Sequence, residues 1–205
     1  RFDAVLRSIR FETGDEILRT DLGYGAIRKI SDFVAERSGA VVRVVDLPGP
    51  PYEAGAIVDS IARAFTPRTR VLVVDHITSG SALILPVAEI VKRARAAGVA
   101  VLVDGAHVPG ALHLDISALG ADWYTGNLHK WACAPRSSAF LWAPPERQVG
   151  LHPAVISWGY EKSFLDEFDL VGTRDPSTFL AAPAGIDFMR ELGLGPIFYG
   201  QALIG

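Results

Sequence analysis

The chain has 205 residues, of which 49% are hydrophobic, and a formal net charge of -3. This composition allows one large domain with a sizeable core, and gives no electrostatic reason to expect binding to nucleic acid or an anionic membrane surface. The single cysteine excludes an intrachain disulfide framework and suits the reducing cytoplasm. No apolar run approaches the length of a membrane span, and the first residues show no signal-peptide pattern.

Short apolar runs alternate with amphipathic stretches, which is typical of βα units on a mostly parallel sheet. In chain order the pattern predicts helix 2–10, strand 16–18, a helix from residue 25, strand 41–45, helix 54–65, strand 70–76, helix 86–97, strand 99–103, a short turn or helix 116–119, strands 122–125 and 138–142, a long loop beyond residue 151, and a last helix 176–192. The predicted fold class is therefore α/β, a three-layer α/β/α domain.

The limits of the chain suggest a fragment, since it begins at Arg1 without a methionine and has no evident stop after Gly205. We expect residues 1–192 to form a large domain that lacks its N-terminal part. Residues 193–205 are expected to start a linker to a missing C-terminal domain.

Two positions carry the main functional signal. The run Val99–Val103 ends in Asp104, which places a carboxylate where open α/β sheets bind ligands. Lys130 lies in the polar segment Thr125–Trp131. A lysine that forms a Schiff base with an aldehyde, and an acid that pairs with a protonated ring nitrogen, together favour pyridoxal phosphate (PLP). The alternatives are a surface lysine and a strand-end aspartate that caps the next turn.

Three further residues are candidates for contacts with the cofactor ring. His107 follows Asp104 by three residues and could donate to the phenolic oxygen, or be a structural loop histidine. Tyr24 stands between two glycines, which let the backbone approach a ligand closely, so we expect it to stack on the ring rather than pack at a helix start. Ser79, in a polar loop after strand 70–76, could contact the ring or substrate, or belong to a turn.

Anion-binding candidates occur in two places. Asn127 and His129 stand just before the lysine and are candidates for phosphate contacts. The loop Gly172–Asp175 combines small and basic residues, which suits an anion, and makes Arg174 a candidate for substrate binding. An ion pair with a nearby aspartate is the alternative for Arg174. Cys133 lies in an apolar stretch, so we expect it to be buried and unreactive.

Five stretches in this order resemble the class V aminotransferase-like group of fold-type I PLP enzymes. The resemblance is strongest to isopenicillin N epimerases and hercynylcysteine sulfoxide lyases, and weaker to cysteine desulfurases. The matching stretches are Gly14–Ala26, Asp75–Ser79, Leu102–His107, Gly126–Trp131 and Gly172–Asp175.

The resemblance implies the large domain of fold type I and an enzyme that acts on an amino acid or a derivative, as an epimerase, a C–S lyase or an aminotransferase. It implies that Lys130 carries the Schiff base and that Asp104 pairs with the pyridine nitrogen. The other implied cofactor contacts are His107 at the phenolic oxygen, Tyr24 on the ring, Ser79 near the ring, Asn127 and His129 at the phosphate, and Thr173 at the phosphate of a partner subunit. The last contact implies a homodimer.

Three alternatives remain at this point. The parent protein could have cysteine desulfurase or selenocysteine lyase activity, although Cys133 does not match the mobile cysteine expected in a later region. A metal-binding α/β hydrolytic domain could use the residues His76, Asp104, His107 and His129. A nucleotide-binding module is the third, and no glycine-rich phosphate loop of the Rossmann or Walker type supports it.

Overall fold

A six-stranded sheet runs through residues 1–193, the part of the chain that the computed structural model describes. The strand order is β2-β1-β3-β4-β5-β6, in which the first five strands are parallel and the last is antiparallel to its neighbour. The strands are β1 (Glu16–Thr20), β2 (Val41–Val45), β3 (Thr69–Asp75), β4 (Ala100–Gly105), β5 (Trp123–Asn127) and β6 (Ala139–Trp142).

Helices cover both faces of this sheet. They are α1 (Phe2–Ser8), α2 (Gly25–Ser38), α3 (Ala54–Arg63), α4 (Val87–Ala96), α5 (Ile116–Leu119), α6 (Pro145–Gln148), α7 (Phe164–Asp169), α8 (Ser177–Leu180) and α9 (Ala182–Glu191). Apolar side chains of α3 and α4 pack on one face, and those of α1 and α2 pack on the other. The predicted three-layer α/β/α fold with a mostly parallel sheet is confirmed.

Alternation along the central strands decides which side chains meet which helices. Val71 and Val73 of β3 join the core beneath α1 and α2, whereas Leu72 and Val74 join the core beneath α3 and α4. The next residue of β3, Asp75, therefore faces the same side as Val73. This alternation decides which face of the sheet the polar side chain at the end of each strand occupies.

The C-terminal quarter differs from the prediction. The expected helix 176–192 is two helices, α8 and α9, because Pro183 in the first turn of α9 has no N–H to continue the preceding helix. The expected loop beyond residue 151 contains α7, whose N-cap Ser163 accepts a hydrogen bond from the backbone of Asp166. A serine followed three residues later by an acid resembles a capping box, a signal that the sequence contained.

Two other expectations have different outcomes. Cys133 is exposed rather than buried, and it lies in the left-handed backbone region with φ of 55°. The predicted linker 193–205 lies, except for Gly193, outside the described residues, so the domain boundary stays a prediction. Among residues 1–193, no helix has both the length and the apolar character needed to cross a membrane.

Candidate active site

Three buried polar side chains form a row at the carboxyl edge of the sheet. Asp75 on β3 is in register with Asp104 on β4, which is in register with Thr125 on β5. Their exposed fractions are 5%, 6% and 2%. Since residues paired across parallel strands point to the same face, all three side chains lie beneath α1 and α2.

This row lines a cavity of about 390 Å³. Among the lining residues are seven of the predicted site residues: Lys130, Asp104, His107, Tyr24, Ser79, Asn127 and His129. Further lining residues are Arg1, Asp3, Ile27, Ile30, Asp75 and Thr125. The volume is within the range typical of small-molecule sites, about 300–1,000 Å³. The fold thus brings together side chains from distant parts of the chain, from Arg1 to Lys130.

Asp104 is a buried carboxylate with a defined orientation. Its Oδ1 accepts a hydrogen bond from the backbone N–H of Ala106 at 2.9 Å, which fixes the carboxylate at the start of the turn after β4. Burial raises the pKa of Asp104, and this rise is opposed by that hydrogen bond and by the positive charges of Lys130 and Arg1. A cationic partner in the cavity would therefore bind an acid that is already in place.

Asp75 is a second acid in the same cavity, which the sequence prediction ranked below Asp104. Burial, followed by the neighbouring charge of Asp104, raises the pKa of Asp75 to about 7. The nearby backbone of Tyr24 and the charge of Arg28 oppose this rise in the pKa of Asp75. Asp75 therefore connects the sheet edge to the loop that carries Tyr24.

The side chains of Lys130 and His107, which both line the cavity, are in direct contact. The Lys130 Nζ lies 3.0 Å from the His107 Nε2, and the other ring nitrogen, Nδ1, accepts a hydrogen bond from the indole N–H of Trp131 at 3.2 Å. Burial lowers the pKa of Lys130, against the attraction of Asp104. Burial and the charge of Lys130 lower the pKa of His107. Both side chains thus favour their neutral forms more than they would in water.

The loops after β4 and β5 pack closely enough to bring this contact about. Gly110 has φ of +84°, a conformation that L side chains rarely adopt, and an added Cβ would collide with the carbonyl of Trp131. Only glycine at this position lets the loop that carries His107 lie against the loop that carries Lys130.

The remaining predicted residues fall into two groups. His129 lines the cavity and its Nδ1 is 2.9 Å from the carbonyl oxygen of Ser138, which leaves the other ring nitrogen for a ligand. Thr173 and Arg174 are exposed and do not line this cavity. The Arg174 guanidinium lies 4.8 Å from the centre of the Phe179 ring. Their predicted roles toward a partner subunit and a substrate stay predictions.

His76 faces away from the cavity, on the side of α3 and α4. Its Nδ1 lies 2.9 Å from the hydroxyl of Tyr124, and burial lowers its pKa to about 4. Within residues 1–193 no group of three or more His, Cys, Asp or Glu side chains is arranged to hold a metal ion. The alternative of a metal-dependent hydrolytic site therefore has no support in this part of the chain.

Comparison with known proteins identifies relatives along nearly the whole chain. The aminotransferase class-V family model matches residues 1–194. Isopenicillin N epimerase of Streptomyces clavuligerus is 39% identical over 209 residues, which cover 94% of this chain and 52% of that protein. A probable chloroplastic L-cysteine desulfhydrase of Arabidopsis thaliana is 37% identical over 195 residues, which cover 90% of this chain and 41% of that protein.

Solved structures agree with these matches. The cystine C–S lyase C-DES in complex with its product, cysteine persulfide, matches with a TM-score of 0.82 at 27% identity, covering 93% of this chain and 53% of that one. A mutant of C-DES with glycine covalently linked to the PLP cofactor matches with a TM-score of 0.83 at 26% identity, covering 95% of this chain and 53% of that one. The chain spans about half the length of these relatives. It belongs to the aminotransferase class-V family.

Proposed function

We propose that this chain forms the cofactor-binding domain of a PLP-dependent enzyme that removes the α-proton of an amino acid. The observation that carries the proposal is the 3.0 Å contact between the Lys130 Nζ and His107, in a cavity that also contains the buried carboxylate of Asp104. An amine with a lowered pKa and an acid fixed at a strand end are the two groups that PLP chemistry requires of a protein.

The cavity fits the cofactor in its donor set. Asp104 provides an acceptor for a protonated ring nitrogen and Lys130 provides an amine for the aldehyde. Asn127 and His129, on the loop that begins at the end of β5, provide polar groups for a phosphate. Tyr24, of which 52% is exposed, lines the cavity at the start of α2 and would provide an aromatic face for the ring.

When bound, PLP would supply a carbonyl for a covalent bond to an amino group and a ring that withdraws electrons from the α-carbon. Asp104 would hold the proton on the ring nitrogen. Its burial makes this interaction stronger than it would be in water, and its hydrogen bond from Ala106 keeps the carboxylate from turning away.

Lys130 would carry the α-proton on Nζ. A base must be unprotonated before it can accept a proton, and burial lowers the pKa of Lys130 below its usual value. His107 contacts the same nitrogen and orients it. The half-buried side chains of Lys130 and His107 leave the cavity open for a substrate to enter.

Removal of the α-proton is the step that the activities of the relatives have in common. An epimerase returns a proton to the other face of the α-carbon, whereas a cysteine desulfhydrase or cystine C–S lyase expels sulfur from the β-carbon. The alternative of a desulfurase requires in addition a nucleophilic cysteine at the substrate, a role for which Cys133, which does not line the cavity, is not a candidate. We favour epimerisation or C–S elimination of an amino acid, because an isopenicillin N epimerase and a probable L-cysteine desulfhydrase are the relatives with 39% and 37% identity.

We also propose that the protein is a cytoplasmic homodimer. The dimer is supported by the loop 172–175, whose exposed Thr173 and Arg174 do not line the cavity of their own chain. The cytoplasmic location is supported by the use of a single cysteine.

The test of the cofactor site uses the full-length protein incubated with PLP and then treated with borohydride. We expect an absorbance band that borohydride bleaches, and a pyridoxyl group found by mass spectrometry on Lys130. The variant Lys130→Ala should lose both, while Lys92→Ala, which changes a lysine side chain that is 78% exposed, should retain both. A folded protein with no pyridoxyl group on Lys130 would contradict the proposal.

The test of the chemistry measures exchange of the α-proton with deuterated solvent. L-cysteine, L-cystine and other L-amino acids are each incubated with the loaded protein in D₂O and followed by NMR. We expect deuterium at the α-carbon of at least one of them, lost in Lys130→Ala. Products with a cleaved C–S bond would then identify elimination, and products of inverted configuration would identify epimerisation.

A further inference from the structure

Trp131 follows the lysine directly and has a polar contact that packing does not require. Its indole N–H donates to the His107 Nδ1 at 3.2 Å, and the same imidazole contacts Lys130 through Nε2 at 3.0 Å. Three side chains thus form one hydrogen-bonded chain that ends at the amine. The ring of Trp131 also packs against the small apolar cluster of Ile77, Val108 and Ala111, which fixes its orientation.

The direction of these hydrogen bonds follows from the donors present. An indole nitrogen can only donate, so the His107 Nδ1 is the acceptor. A neutral imidazole carries a single proton, which must then be on Nε2. The Nε2–H therefore donates toward Lys130, and only an amine with a free lone pair can accept it. An ammonium group at Nζ has no lone pair and would leave this contact without an acceptor.

We propose that Trp131 is a positioning residue that fixes the tautomer of His107 and thereby favours the neutral amine of Lys130. The inference rests on the proposed function in one respect, since that function makes Lys130 the reacting amine. Without the indole N–H, His107 could place its proton on Nδ1 and present Nε2 as an acceptor. Nε2 would then stabilise the ammonium form of Lys130.

Other groups around the amine act in opposite directions. Asp104 and Asp75 favour the charged form of Lys130, whereas burial and Arg1 disfavour it. The other ionisable side chains that line the same cavity are Asp3, Tyr24, His107 and His129. The His107 ring is in hydrogen-bond contact with Nζ, so its tautomer is a local and adjustable influence on the protonation of the amine.

The test measures the protonation of Lys130 without using the cofactor. The full-length protein, freed of PLP, is methylated with formaldehyde and cyanoborohydride over a range of pH, and the labelling of each lysine is followed by mass spectrometry. Only neutral amines react, so the pH at half-maximal labelling reports the pKa of Lys130. Lys92, which is 78% exposed, is the internal reference.

The decisive variant is Trp131→Phe, which removes the N–H and keeps an aromatic ring. We expect the Lys130 profile to move up by about one pH unit, which is roughly a tenfold loss of labelling at neutral pH, and to meet the wild-type profile at high pH. Trp158→Phe removes the N–H of an indole side chain that is 83% exposed and should leave the profile unchanged. An unshifted profile in Trp131→Phe would overturn the proposal.

A double-mutant cycle separates this role from a packing defect. In a His107→Phe background the histidine can no longer transmit any effect, so Trp131→Phe should cause no further shift. An equal shift in both backgrounds would show that Trp131 acts by another route and would overturn the inference. Incubation of a parallel sample with PLP tests the proposed function separately, because the labelling profile does not depend on whether PLP binds.

Discussion

The ends of β3 and β4 have similar sequences, but the histidines that follow them lie on opposite faces of the sheet. β3 ends in the buried Asp75, β4 carries the buried Asp104 as its second-last residue, and each aspartate is followed within three residues by a histidine. His76 comes one position after its aspartate and bonds Tyr124 on the face of α3 and α4. His107 comes three positions after its aspartate, beyond the point where the strand has turned, and contacts Lys130 in the cavity.

The comparison shows that spacing, more than residue type, decides which histidine joins the site. Adjacent residues of a strand point to opposite faces, so a histidine directly after a cavity-facing acid must face away. Beyond the end of a strand this alternation no longer holds, and the turn after β4 brings His107 to the same side of the sheet as Asp104. The two acids, by contrast, are paired in register and point to the same face of the sheet. The different roles proposed for Asp75 and Asp104 must therefore come from the residues around each of them.

The largest expected effect on turnover comes from removing the negative charge of each acid in a separate variant. Asp104→Asn should lower turnover by about 10²–10³-fold, because a neutral amide cannot stabilise a protonated ring nitrogen. Asp75→Asn should lower it far less, since the side chain of Asp75 interacts with the backbone of Tyr24 and an amide oxygen can take the place of the carboxylate oxygen there. Steady-state kinetics of both variants, at saturating PLP, measure the contrast. Equal losses in the two variants would mean that the acids share the role.

An intermediate effect is expected on stability as a function of pH. The pKa of Asp75 is about 7 when folded and near 3.8 when unfolded, so between these values the folded state holds a proton that the unfolded state has released. The free energy of unfolding must then fall as pH rises through this window. From pH 5 to pH 8 the fall attributable to Asp75 is about 2–3 kcal/mol.

The measurement is urea unfolding of the cofactor-free wild type and Asp75→Asn at the two pH values. We expect the variant to gain stability relative to the wild type by about the amount just given as pH rises from 5 to 8, since asparagine does not titrate. A constant difference between the two proteins would contradict the raised pKa.

The smallest expected effect concerns the histidine that faces away. Tyr124→Phe removes the hydroxyl that lies 2.9 Å from the His76 Nδ1, and should cost about 1 kcal/mol of unfolding free energy while leaving turnover unchanged. Thermal unfolding and a turnover assay of the variant would check both statements. A large loss of turnover would show that the two faces of the sheet are coupled through β4 and β5.

Much of the site could be predicted because its residues stand where strands end. The run before Asp104 is purely apolar, so the position of the acid follows from the end of the strand, and the loops around Lys130 and Tyr24 are marked by glycine and polar residues. The structure places these three side chains in one cavity. Parallel strands bring their carboxyl ends to one edge of the sheet, so the positions of the strand ends in the sequence are enough to predict which of these residues meet.

Other features could not be predicted because they depend on contacts between distant segments. Thr125 lines the cavity only because β5 pairs with β4 in one particular register. The raised pKa of Asp75 requires both its burial and the approach of Asp104. The break before α9 is marked in the sequence by Pro183, which the prediction of one helix over 176–192 did not take into account.

The close approach of Gly110 to the carbonyl of Trp131 has a consequence for protein engineering. The two loops it joins form one unit, since a side chain on one displaces the backbone of the other. Exchange of either loop for that of a relative should therefore fail unless its counterpart is transferred with it. Libraries that aim to change the reaction would do better to vary both loops as a matched pair and keep glycine at the point where they meet.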